Sequence, residues 1–117
     1  TVAAILIEKV LSKINLDSDI MKFSNGAEFV NWVETDKQRN IPDLIITDIN
    51  MPKKTGIEVI EELRKKSFYL KTPLMILTTE RTEKMKEMGR KAGATGWITK
   101  PINPNQFIKA VNTVLKN

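Results

Sequence analysis

Three short stretches of this chain end in side chains that could do chemistry together. The apolar, β-branched run Leu44-Ile45-Ile46-Thr47 leads directly into Asp48. A second apolar run, Leu74-Met75-Ile76-Leu77, ends in Thr78-Thr79-Glu80, and a third, Thr95 to Thr99, ends in Lys100-Pro101. A carboxylate placed straight after a strand buried on both faces is costly unless it points into a solvated crevice. If the three strands are neighbours running in one direction, a carboxylate, a hydroxyl and an ammonium share one rim. Phosphoryl transfer suits that set. A carboxylate can attack phosphorus to give an acyl phosphate, a lysine beside it neutralises the incoming anion, and a hydroxyl can bond a phosphate oxygen. The protein's part in such chemistry is mostly positioning and charge stabilisation. A hard cation such as Mg²⁺ normally completes such a site through carboxylate and carbonyl oxygens. Taken singly, each residue has a commoner use: Asp as a turn former or cap, Thr as a strand residue, Lys as a solvated charge. The weight lies in the three together.

The elements that must position them can be read from periodicity. Leu44–Thr47 and Leu74–Leu77 are apolar without alternation, as expected of strands in a parallel sheet covered on both faces. Residues Val2 to Ile14 carry Ile7, Val10, Leu11 and Ile14 at helical spacing, which predicts an opening helix. Asp19 to Phe23 reads as a strand. Ser24-Asn25-Gly26 reads as a turn and helix start, before a helix that buries Phe29, Val30 and Val33. Asn40 to Asp43 breaks it. Thr55 is a predicted N-cap for a helix carrying Ile57, Ile60 and Leu63. Thr82 to Ala92 is a polar helix with Met85 and Met88 inward and Gly93 as its cap. Pro104 opens a last helix with Phe107, Val111, Val114 and Leu115. Strands alternating with helices imply right-handed crossovers and a parallel sheet with helices on both faces. Ligands of such sheets sit outside the carboxyl ends of the strands.

Composition removes several alternatives. The 117 residues make one domain's worth of chain, 41% hydrophobic and 28% charged, an ordinary globular balance. Without cysteine there are no disulfides or thiolate metal sites; without histidine there is no Ser-His-Asp triad and no histidine-ligated zinc. No apolar run reaches the roughly 18 residues of a membrane span, and no signal peptide is visible, so a cytoplasmic location is the default. The net charge of +5 comes from scattered lysines rather than a stripe interleaved with aromatics, which argues against nucleic-acid binding.

Three segments resemble the motifs of one family. Leu44 to Pro52, followed by Gly56, looks like the phosphorylation-site motif of response regulator receiver domains. Leu77-Thr78-Thr79-Glu80 resembles their switch-threonine segment, and Ala92 to Pro101 resembles the segment with the switch aromatic and the lysine. The Ser24-Asn25-Gly26-Ala27 turn also matches. The likeness covers essentially the whole chain, 1–117, as one receiver domain, and is nearest to single-domain chemotaxis-type regulators. It implies a flavodoxin-like doubly wound α/β sheet of order 2-1-3-4-5. It implies that Asp48 accepts a phosphoryl group from a histidine kinase or phosphotransfer protein, can label itself from small phosphodonors, and loses the group by auto-dephosphorylation. By the same resemblance, Lys100 pairs with Asp48 and then with the phosphoryl group. Thr78 and Trp97 switch together, Asn50 and Glu80 tune dephosphorylation, and the Lys100-Pro101 bond is cis. Mg²⁺ is implied as cofactor, held by Asp48, the Asn50 carbonyl and further acids. A downstream protein would bind the face of helix 82–92, strand 95–99 and helix 104–116.

One departure matters. Receivers begin with a strand that ends in two acidic residues, whereas Thr1 here reads as the start of a helix. The expectation is that the first strand and its acidic pair are missing, the remaining metal ligands lying upstream of Thr1. Three explanations follow: the strand precedes the given sequence, a partner chain supplies it, or the chain is a pseudo-receiver. The alternative function is accordingly a phosphorylation-independent interaction module on the same fold.

Overall fold

The computed structural model describes residues 2–6, 19–23, 25–35, 41–49, 54–101 and 103–116. Along the chain these form β1 (Val2–Leu6), β2 (Asp19–Phe23), α1 (Gly26–Thr35), β3 (Leu44–Thr47) and α2 (Gly56–Arg64). A short 3-10 turn (Ser67–Tyr69), β4 (Leu74–Thr78), α3 (Glu83–Ala92), β5 (Gly96–Thr99) and α4 (Pro104–Lys116) complete them. The strands make one parallel sheet of order β2-β1-β3-β4-β5, the doubly wound flavodoxin-like arrangement.

The opening of the chain corrects the sequence expectation. Val2–Leu6 is a strand, not a helix start, and the first strand is present inside the chain as an interior strand of the sheet, between β2 and β3. It pairs with β2 from Val2↔Asp19 to Leu6↔Phe23, and with β3 from Ala3↔Leu44 to Leu6↔Thr47. A strand hydrogen-bonded on both sides is interior to a parallel sheet and needs no alternation, so its apolar run looks like the flank of a buried helix. The rest of the predicted opening helix, including Ile7, Val10, Leu11 and Ile14, lies outside the described residues. In the sequence, Ile7, Glu8 and Lys9 follow the carboxyl end of β1. The acids expected upstream of Thr1 would therefore belong after Leu6, where there is one carboxylate and not a pair.

The sheet separates two cores, and β3 and β4 feed both by alternation. Ile45, Leu74 and Ile76 pack with Phe29, Val30 and Val33 of α1 and with Ile57, Val59, Ile60 and Leu63 of α2. Leu44, Ile46, Met75 and Leu77 face the other way, onto Phe107 and Val111 of α4. With both faces apolar, β3 and β4 are fully buried throughout. Thr55 caps α2 as expected, through a reciprocal pair of bonds with Glu58. Thr82 caps α3 by accepting from the Met85 amide.

α3 departs from the predicted packing in one respect. Met85 is half-buried, but Met88 is 43% exposed. The inward line runs through Met85, Gly89 and Ala92. At Gly89 the helix lies so close to the sheet that a Cβ would stand 2.9 Å from both Ile76 Cδ1 and Trp97 Cζ3. That approach rotates Met88 to the flank.

Candidate functional site

β3, β4 and β5 end at one rim, and their register brings the chemical groups together. Thr47 pairs with Ile76, and Thr78 with Thr99, so Asp48, Thr78 and Lys100 stand at successive strand ends. Lys100 Nζ donates to Asp48 Oδ2 at 2.9 Å. The Asp48 side chain is 12% exposed and that of Lys100 24%, so the pair is partly buried at the rim. The ammonium compensates a carboxylate that would otherwise be costly to hold there. The Lys100 amide donates to the Thr78 carbonyl at 2.8 Å, which fixes the lysine backbone against β4. The Lys100-Pro101 peptide is cis, as expected.

The backbone around Asp48 is held from two sides. Thr47 Oγ1 donates to the Asp48 carbonyl at 3.0 Å. The Gly56 amide donates to the Ile49 carbonyl at 3.0 Å, and a Cβ on Gly56 would lie 2.1 Å from the Asp48 oxygen. Gly56 is thus the residue that lets α2 begin directly against the strand end. The role of Thr47 was invisible in the sequence, where it reads only as the last residue of an apolar strand.

Thr78 is fully buried, and its hydroxyl accepts from the Glu80 amide at 3.3 Å. The Glu80 carbonyl in turn accepts from Trp97 Nε1 at 3.2 Å. One peptide segment therefore bridges the hydroxyl at the end of β4 to the indole on β5. Trp97 lies beneath α3, against Gly89. Arg81, which the sequence did not single out, donates to the Lys100 carbonyl at 3.3 Å and ties the loop after β4 to the loop after β5. No side-chain pattern could have flagged these links, because two of their three acceptors are main-chain carbonyls.

Asn50 lies outside the described residues, and so does its carbonyl. Among the described residues no group of three or more His, Cys, Asp or Glu side chains could hold a metal ion. Asp48 offers one hard carboxylate. The described residues therefore do not by themselves make a Mg²⁺ site. Also among them, no helix is long and apolar enough to cross a membrane.

A sequence model of the response regulator receiver domain matches residues 1–112. The chain belongs to that family. The alkaline phosphatase synthesis transcriptional regulatory protein PhoP of Bacillus subtilis is 36% identical over 98 residues, 84% of this chain and 38% of PhoP. The chain thus aligns with well under half of that relative's length. Chemotaxis protein CheY1 of Helicobacter pylori is 27% identical over 110 residues, covering 94% of this chain and 86% of CheY1. The solved structure of Vibrio cholerae chemotaxis protein CheY4 superposes with a TM-score of 0.80 at 31% identity, covering 97% of this chain and 96% of CheY4. Receiver domains act in two-component phosphorelay signalling: they interact with histidine kinases or phosphotransfer proteins and with downstream effectors, and they usually bind Mg²⁺.

Proposed function

We propose that this receiver domain accepts a phosphoryl group on Asp48 from a partner's phosphohistidine and changes partner binding in response. The observation that carries this reading is the Lys100–Asp48 contact at 2.9 Å, made at the carboxyl rim of a parallel sheet where ligands of this architecture bind. An Asp48 carboxylate oxygen attacks phosphorus, the phosphorus–nitrogen bond to the donor breaks, and an acyl phosphate forms. Lys100 keeps a cation beside the arriving negative charge and moves its donation from carboxylate to phosphoryl oxygen. Water attack at phosphorus later returns the free carboxylate, at a rate tuned by Asn50 and Glu80. The cation that receivers usually bind would draw on Asp48 and, outside the described residues, on the Asn50 carbonyl.

The group adds roughly two negative charges. The Thr78 hydroxyl then donates to a phosphoryl oxygen and moves away from the Glu80 amide that donates to it, which alters the peptide segment that accepts from Trp97. α3, β5 and α4 carry the change to a downstream protein, in a cytoplasmic setting. Incubation with acetyl phosphate and Mg²⁺ should add one phosphoryl group by intact mass, and Asp48→Asn should abolish the addition. A wild-type protein that stays unlabelled overturns the reading. The second reading, a phosphorylation-independent interaction module, is favoured by one observation: the sequence after β1 carries a single acid, Glu8. It requires partner binding to be unaffected by Asp48→Asn.

A further inference from the structure

The carboxyl ends of two helical segments converge on one guanidinium, carried by the last residue of a third. Arg64 is the last residue of α2. Its Nη1 donates to the carbonyls of Tyr69, at 2.6 Å, and Leu70, at 3.1 Å, which close the 3-10 turn. Its Nε and Nη2 donate to the carbonyl of Gly93, the C-cap of α3, at 3.1 and 2.9 Å. Cations are favoured at helix carboxyl ends, and the planar fork of arginine can serve several acceptors at once in a way an ammonium cannot. Burial pulls the Arg64 pKa down from its ordinary value, yet among the described residues it has no ion pair with a carboxylate. Its bonds are to main-chain oxygens, so the element it organises is backbone.

The two ends of α3 are consequently held in different ways. At the carboxyl end, Gly93 takes φ +113°, and the amides of Gly93 and Ala94 donate back to Gly89 at 3.2 and 3.0 Å. Thr95 and Leu74 exchange bonds of 2.7 and 3.0 Å, and Arg64 closes the corner. At the amino end, Thr82, Glu83 and Lys84 are exposed. The loop leading there is tied by the bonds Glu80–Thr78, Trp97–Glu80 and Arg81–Lys100, all of 3.2–3.3 Å. Each of those three has an end on a residue of the candidate site or its switch pair. A change at Thr78 or Lys100 therefore reaches the helix through the loop at its amino end and through Trp97 at Gly89, short of the Gly93 corner.

We infer that Arg64 is a positioning residue for the phosphorylation response: it pins the carboxyl end of α3, so that the helix tilts about Gly93 and does not slide as a whole. The inference rests on the proposed role of Asp48. With α3 about 15 Å long at 1.5 Å per residue, a small tilt moves the amino end by a few ångströms and leaves the Gly93 corner in place. The consequence is directional: a partner sensing the amino end of α3 reads the switch, while one sensing its carboxyl end does not.

Amide hydrogen exchange with and without beryllofluoride plus Mg²⁺ tests this. In the wild type, exchange at amides 82–86 should change by roughly fivefold or more, the lower end of usual coupling between sites, while Gly93, Ala94 and Thr95 stay unchanged. In Arg64→Met the change should spread to the carboxyl end, and Arg64→Lys should fall between. An equal change along the whole of α3 in the wild type overturns the pin. If beryllofluoride does not bind, the Asp48 reading fails, and the pin is still read in the free protein. There Arg64→Lys should lower protection at Gly93 and Ala94 and spare amides 83–86; uniform loss, or none, overturns it.

Discussion

Lys100 Nζ and Asp48 Oδ2 meet at 2.9 Å across a separation of 52 residues, and both side chains are largely buried. The pair should therefore separate chemistry from stability when its halves are changed one at a time. Asp48→Asn keeps the shape and an acceptor for Lys100, so urea unfolding should move by less than about 1.5 kcal/mol while phosphoryl acceptance is lost. Lys100→Met leaves the Asp48 carboxylate without its ammonium and should cost about 1–3 kcal/mol, the usual penalty for stranding a buried polar group. Equal stability of wild type and Lys100→Met would show that the pair contributes nothing to the fold.

Gly56→Ala should be among the most damaging single-methyl additions in the protein. The added carbon would lie 2.1 Å from the Asp48 carbonyl oxygen, with Thr47 Oγ1 at 3.1 Å. Main chain cannot yield as the end of a flexible side chain can. Overpacking of this kind costs about 1–3 kcal/mol, and here it should also displace Asp48. Thermal unfolding and acetyl phosphate labelling should fall together. A variant of normal stability that labels at the normal rate would contradict the close approach of α2 to β3.

Acid should loosen the start of α2. Glu58 accepts from the Thr55 amide at 3.1 Å while its own amide donates to Thr55 Oγ1 at 3.2 Å. The Thr55 backbone bond, and next the Thr55 side chain, hold the Glu58 carboxyl below its usual range. A carboxylate depressed by folding adds stability that is complete above its unfolded value, about 4.3, and is lost as pH falls through the lower folded value. The Thr55 amide proton should titrate in the acid range in NMR spectra and cease to do so in Glu58→Gln. A flat Thr55 shift between neutral and strongly acidic pH would exclude the capping box.

Thr78→Val should uncouple acceptance from response. The hydroxyl is buried and accepts one long bond from the Glu80 amide, so its removal should cost only about 1–3 kcal/mol. Labelling at Asp48 should persist. The change in Trp97 fluorescence expected on phosphorylation should disappear, because the indole is bonded to the Glu80 peptide. A normal fluorescence response in this variant would require another route from Asp48 to Trp97.

The sequence by itself was enough for every element whose signal is local. β3 and β4 announce themselves by apolar runs without alternation, α2 by its cap Thr55, and the end of α3 by the left-handed turn Gly93 makes. Because all these strands run in parallel, Asp48, Thr78 and Lys100 at their ends had to share a rim, and the site was legible from that rule together with the family motifs. The tertiary structure alone decided the identity of Val2–Leu6. Its five residues carry no alternation, and alanine suits a helix as well as a strand; only pairing with β2 and β3 on either side makes it an interior strand of the sheet. It also decided that Gly89 and not Met88 faces the sheet, and that the Glu80 peptide and the Arg64 guanidinium join elements distant in the chain. Contacts between a side chain and main-chain oxygen leave no pattern in residue types, since every residue carries the same carbonyl, and they exist only once the chain has closed on itself.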